Sequence, residues 1–366
     1  MKVKLEDVCK RIYAGGDVPK NRFSESKTKK YSVPIYANAE KNNGLYGYTD
    51  LAKEDELSIT IAARGTIGFV AIRTEPFLPV VRLITLVPNL SKISARYLYY
   101  VLRNLKPKCS GTSIPQLTVP DIKKNGIKLY AISKQEEMAD QLEILDNIIK
   151  IRSQEIKKLE DLIKARFIEV FGESDKNTKQ FPVRKLNEIS SYWNGLTYKP
   201  VDTVEDGNGT LVLRSSNIQN GVLAFDDNVY VSCDIKEKLL VQDNDILMCS
   251  RNGSAALVGK TALIKGLVEP TTFGAFMMII RSEYYSYLKT YFEMPFFRSQ
   301  ISTGTSTINQ ITGKMLNEIS LPVPDIGTVK VFEEFVNRIA KSKSVIEKSL
   351  KELETLQASL MQKYFS

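Results

Sequence analysis

The 366-residue chain contains no histidine. That absence removes the side chain whose ordinary pKa lies nearest neutrality, and with it imidazole general bases, histidine-dependent triads and imidazole metal ligands. Cysteine is scarce. Cys9, Cys109, Cys233 and Cys249 stand far apart and form no Cys-x-x-Cys pair, which fits free thiols in a reducing compartment and neither a disulfide frame nor a zinc site. No run of about 18 apolar residues is present to span a bilayer, and the opening MKVKLEDVCK lacks the apolar stretch of a secretory signal. The expected location is the cytoplasm, with no membrane contact.

Cofactor loops are also missing. There is no Asn-Pro-Pro-aromatic tetrad and no glycine-rich cofactor loop of an adenine methyltransferase, so no cofactor is expected in this chain. The stretch from Gly253 to Gly259-Lys260-Thr261 approaches a phosphate loop, but its first glycine stands one place too early and Ser254 fills the required position. Pro120-Asp121-Ile122-Lys123-Lys124 resembles a nuclease signature without a second acid suitably placed. The remaining carboxylates cluster on helix faces opposite an apolar stripe, where solvated surface is the expected role. No catalytic residue and no metal ligand is expected.

What is present in excess is positive charge, a formal +9 that suits a polyanion partner. Its location is informative. Residues 1–133 hold 22 Lys and Arg against 11 Asp and Glu; 134–171 hold 7 against 9, 172–325 hold 15 against 17, and 326–366 hold 7 against 5. Charge therefore points to nucleic acid for the first part and is silent about the second.

The chain is also written twice. Met138, Leu142, Leu145, Ile149, Arg152, Ile156, Leu159, Ile163, Arg166 and Val170 follow a heptad seam. Phe332, Val336, Ile339, Lys343, Ile346, Leu350, Leu353, Gln357, Leu360 and Tyr364 repeat it at a constant offset of 194. The first helix is expected to open on a capping box at Ser133 with Glu136 and to stop at Gly172; the second follows Pro322 and Pro324, with Asp325 or Thr328 as cap. Rods of roughly 55 Å with a single apolar stripe need a partner, and each other is the nearest one. Shorter words repeat as well: Lys4-Leu5 and Lys185-Leu186; Gly111-Thr112-Ser113 and Gly304-Thr305-Ser306; Gln116-Leu117 and Gln310-Ile311. Between them, both copies mix short strands (57–62 and 68–72; 246–249 and 262–264) with glycine turns and short helices such as 95–104. Tyr97, Tyr99 and Tyr100 sit at helical spacing, as core. The expected fold is mixed α/β: two modules in tandem, 1–133 and 172–325, each followed by a long helix, 134–171 and 326–366. The helices form an antiparallel coiled coil with pseudo-twofold symmetry.

Further words align in order. Asp55-Glu56-Leu57 and Asp245-Ile246-Leu247 precede Arg64-Gly65 with Gly68, and Arg251 and Gly253 with Gly259, respectively. Pro34-Ile35-Tyr36, Gly44 to Tyr48, and Arg214 to Ile218 add to them. Over essentially its whole length the chain resembles the specificity subunits of type I restriction-modification systems. The resemblance implies a non-catalytic subunit whose modules each read one half of a bipartite duplex DNA target, with the helices as a ruler between halves. It implies two methylation subunits, which bind S-adenosylmethionine, and restriction subunits, which use ATP and Mg, as partners.

Base edges are read by Arg and Lys at guanine, Asn and Gln at adenine, and Ser or Thr more loosely. The first copy offers Lys20, Asn21, Arg22, Arg64, Thr66, Thr112, Ser113 and Gln116. The second offers Tyr198, Lys199, Arg214, Ser215, Asn217, Arg251, Asn252, Thr305, Ser306, Asn309 and Gln310. Arg64 and Arg251 stand out because each follows a buried strand and precedes a glycine turn, expected at Gly65, Gly68, Gly253 and Gly259. The competing reading is a coiled-coil scaffold that organises protein partners without DNA.

Overall fold

A seam with two apolar positions per heptad demands helices long enough to bury it. The computed structural model describes residues 1–105, 116–173, 175–205, 208–301 and 310–366. In it the seam lies on two 40-residue helices, Ile132–Phe171 and Ile326–Phe365. Every seam position of both copies is buried or half-buried. The first helix stops at Gly172, which takes a φ of +78° and donates its N–H to Ile168 O at 2.8 Å. Asp325 caps the second. Its Oδ1 accepts from Thr328 N at 2.9 Å, and the Thr328 hydroxyl, followed by that N–H, holds the carboxyl below its ordinary pKa.

The start of the first helix departs from expectation. Ala131 O accepts from the N–H groups of both Lys134 and Gln135, so Ser133 lies inside the helix and is not its cap. Gln135 explains the change. Fully buried, it accepts from Ser94 N at 2.8 Å and donates to Lys92 O at 3.1 Å and Tyr130 O at 2.8 Å, tying the helix to the module before it. Gln135→Ala would strand these groups. It is expected to cost about 2–3 kcal/mol in urea unfolding, since a buried polar group left unpaired bears its full desolvation penalty; a change under about 0.5 kcal/mol would contradict this.

The chain folds as two compact units, Met1–Gln154 with Glu347–Ser366, and Glu155–Ile346. Within each, the long helices run antiparallel. In the first unit Gln357 Nε2 donates to Asp146 Oδ1 at 2.8 Å and the Tyr364 hydroxyl to Gln141. In the second, Lys343 pairs with Glu160 at 2.6 Å, and Phe332 packs on Phe167 and Phe171. Tyr287 completes that aromatic cluster, with ring centroids 4.9–5.8 Å apart.

Both modules follow one plan. In the first, an antiparallel sheet runs Cys9–Ala14, Ile84–Pro88, Ser58–Ile61, Val70–Arg73; in the second it runs Ser191–Asn194, Met277–Arg281, Ile246–Cys249, Thr261–Leu263. The order is first, last, second, third each time. A second sheet in each module contains one parallel pair, Val33–Tyr36 beside Leu78–Pro79 and Thr210–Leu213 beside Thr271–Phe273. Each module closes by pairing its first strand with its last, Lys2–Lys4 with Gly126–Lys128 and Val183–Lys185 with Ser320–Pro322. A buried tyrosine seals each closure. The Tyr97 hydroxyl donates to Lys128 O at 2.7 Å and the Tyr287 hydroxyl to Pro322 O at 2.6 Å. Tyr97 and Tyr100 are core, as their spacing implied.

The decoys resolve into ordinary structure. Gly259-Lys260-Thr261 leads into the strand Thr261–Leu263, so no helix N-terminus faces a phosphate there. Asp121 is the third residue of a short helix, Val119–Lys124, and its carboxylate accepts from the N–H of the cap Thr118. Cys9, Cys233 and Cys249 are free, and Cys109 lies outside the described residues. Burial pushes the Cys9 thiol up to about 12 and raises that of Cys249. Both therefore stay protonated at neutral pH. Among the described residues no helix is long and apolar enough to cross a membrane.

Candidate nucleic-acid interface

The strands Ser58–Ile61 and Ile246–Cys249 are buried at every position and emerge at Ala63-Arg64 and Ser250-Arg251. A buried strand fixes the direction of its last residues, so each arginine leaves the sheet from a rigid base. The segment after the Gly-Thr-Ser word then returns to the same place. Leu117 N donates to Ala63 O at 2.9 Å, and Ile311 N donates to Ser250 O at 2.7 Å. The glutamine that precedes each donor is thereby set against the arginine. Gln116 Oε1 accepts from Arg64 Nε at 3.2 Å and from one of its terminal nitrogens at 2.8 Å, while Gln310 bridges Arg251 through the backbone. Arg64, Arg251 and Gln310 are exposed and Gln116 is half-buried.

A third segment completes each cluster, and reading the sequence did not find it. In the first module Asn38 accepts from Ala63 N at 2.7 Å and donates to Val81 O, clamping the arginine loop to the turn Val81-Arg82. In the second, Ser250 N and Arg251 N donate directly to Phe276 O at 2.9 and 3.1 Å. Phe276 is 60% exposed, and the Arg251 guanidinium lies 5.4 Å from its ring centroid. The missed residues are Asn38, Arg82 and Phe276. The matching turn bonds, Leu83 N to Val80 O and Met277 N to Gly274 O, place Arg82 opposite Phe276, a correspondence that no repeated word in the sequence marks.

Other expected readers are distributed differently. Asn252 joins the second cluster by donating to Ser215 Oγ at 3.2 Å. Thr66 is exposed on the turn after Arg64. Lys20 and Asn21 are exposed, and Arg22 is held by Asp50 at 2.7 Å. Lys199 is exposed beside half-buried Tyr198, and Arg214 is paired with Asp227 at 2.9 Å. Asn217 is fully buried. Its carboxamide accepts from Arg214 N and donates to Ala224 O, holding its own loop. Thr112, Ser113, Thr305, Ser306 and Asn309 lie outside the described residues.

Two further expectations change. Gly65, Gly68 and Gly259 take the left-handed φ a turn requires, but Gly253 does not. Asp55 and Asp245, aligned as words, are not equivalent: Asp55 is exposed, whereas Asp245 is buried and bound to Arg281 through two contacts of 2.7 Å. The paired carbonyls of Ala63 and Ser250 place Asp245 opposite Ser58.

Residues 1–161 match the family model for the type I restriction modification DNA specificity domain. Over that stretch the chain is similar to type I restriction-modification specificity subunits. Similar proteins include one of Mycoplasma pneumoniae named as a type I specificity subunit, 38% identical over 136 residues. That match covers 37% of this chain and 40% of the relative. The EcoKI specificity subunit of Escherichia coli is 27% identical over 161 residues, covering 42% of this chain and 34% of that one. The chain thus spans well under two thirds of these specificity subunits. In fold it resembles the crystal structure of a type I S subunit from M. genitalium, with a TM-score of 0.60 at 16% identity, over 100% of this chain and 96% of that one. The specificity-domain match takes in the first module, and the second shares that module's strand order.

Proposed function

We propose that this chain is a non-catalytic specificity subunit that reads a bipartite duplex DNA target, one half with the module at 1–133 and the other with that at 172–325. One observation carries the reading. The same backbone joint, Leu117 to Ala63 and Ile311 to Ser250, sets an arginine beside a glutamine twice, while the loops around the joint differ between copies. A common mount with unlike side chains suits two readers of unlike half-sites. The long helices space the modules. Ile144 and Ile151, exposed seven places apart on the first long helix, offer an apolar face to one methylation subunit, and Val345, exposed on the second, is available to another. S-adenosylmethionine would then reside on those subunits, and ATP and Mg on restriction subunits. The site of action is the cytoplasm.

The test is to purify the tagged full chain from its own cells, identify what accompanies it, and offer the complex a random duplex library with S-adenosylmethionine. Methylated adenines confined to one gapped, two-part motif are expected. A complex with no methyltransferase and no dependence on DNA would favour the protein scaffold instead.

A further inference from the structure

We propose that the turn Val81-Arg82 is a strained mount for a base-reading arginine, and that Arg82 selects guanine in the half-site read by the first module. The inference rests on the duplex-reading function proposed above. Leu83 N donates to Val80 O at 3.0 Å, closing a two-residue turn whose central residues take φ of +54° and +63°. That geometry favours Asn-Gly, and a β-branched residue suits it least. Three ties hold it: Val81 N to Gly16 O at 2.7 Å, Arg82 N to Gly15 O at 3.2 Å, and Asn38 to Val81 O. The approach leaves no room for a larger residue at Gly15, where a Cβ would lie 2.5 Å from the Pro79 backbone.

The scaffold does not force this strain. At the same place in the second module Met277 N donates to Gly274 O at 2.8 Å around Ala275-Phe276, and neither of those residues has a positive φ. A strained backbone persists where its surroundings over-determine it, and such sites cluster where a side chain must be aimed. Arg82 is exposed, and its guanidinium has no hydrogen bond or ion pair among the described residues. Asn38 ties its turn to the loop of Arg64, so two guanidinium groups leave one clamp. A phosphate contact needs only a charge on a flexible stem, which a relaxed turn would supply equally well. Bidentate recognition of guanine O6 and N7 needs a fixed direction.

The test uses the full chain with its co-purifying partners and a random duplex library, with the wild type read first. Arg82→Gly and Val81→Asn should each raise Tm by a few degrees, because both relieve the turn. Arg82→Gly should nevertheless lose about tenfold or more of its discrimination at one base position in one half-site, with the other half-site unchanged. Val81→Asn should keep the motif. Arg82→Lys, which retains the charge, should lose the same base preference. The proposal is overturned if Arg82→Lys keeps the motif while Arg82→Gly weakens all sequences alike, the behaviour of a phosphate contact, or if Arg82→Gly leaves the motif intact. A wild type that selects no motif would refute the duplex-reading function itself, and this proposal with it.

Discussion

Duplex binding by the full chain is expected to weaken about a thousandfold between 50 and 200 mM salt, as release of counterions from about six neutralised phosphates dictates. Most of that slope should come from the first module, where basic residues outnumber acidic ones by 22 to 11. The structure refines which residues carry it. Lys20 is exposed and Arg22 is already engaged by Asp50 at 2.7 Å, so Lys20→Ala should lower the log–log slope by about 0.9 and Arg22→Ala by less. In the second module, with 15 basic residues against 17 acidic, Lys199→Ala should change the slope little. Titrations of a labelled duplex at four salt concentrations read all of this. A flat response in the wild type would remove DNA from the function; a slope carried by Lys199 would reverse the division of labour.

Phe167→Ala should cost about 3–5 kcal/mol of stability, the range for removing a large aromatic side chain from a packed core. Phe167 is fully buried on the first long helix, where it stacks at 5.3 Å on Tyr287 of the second module and meets Phe332 of the second long helix at 5.8 Å. Its loss opens a cavity where three segments join. The next residue is the control. Ile168 is 41% exposed, and its replacement by Ala should stay within about 0.5 kcal/mol. Urea unfolding monitored by circular dichroism compares the two, and equal effects would contradict the packing described.

The helices and the duplication were readable because each rests on many residues that agree. Ten seam positions at one offset leave little room for coincidence, and Ile246–Cys249 announces itself as an unbroken apolar run, Ser58–Ile61 as an alternation of isoleucine with serine and threonine. Short words failed where a few residues had to carry the inference. Asp55 and Asp245 share a letter and a leucine two places on, but burial separates them. Ser133 had the spacing of a cap, and the tertiary hydrogen bonds of Gln135 overrode it. Val81-Arg82 carries no turn signal at all, since local preference opposes the conformation that Gly15, Gly16 and Asn38 impose. Buried Asn217 looked like a reader because composition cannot distinguish a carboxamide that faces solvent from one that holds its own loop.

Asn38 has a consequence for heritable change. In the first module the arginine loop is tied to its neighbouring turn through a side chain, and in the second through main-chain bonds from Ser250 and Arg251 to Phe276. A single codon change at position 38 can therefore slacken or re-aim the first cluster while its arginines stay in place. The second tie survives any replacement that keeps the chain path, so there a lineage must vary the exposed groups themselves. The two arginine clusters are thus open to variation by different routes.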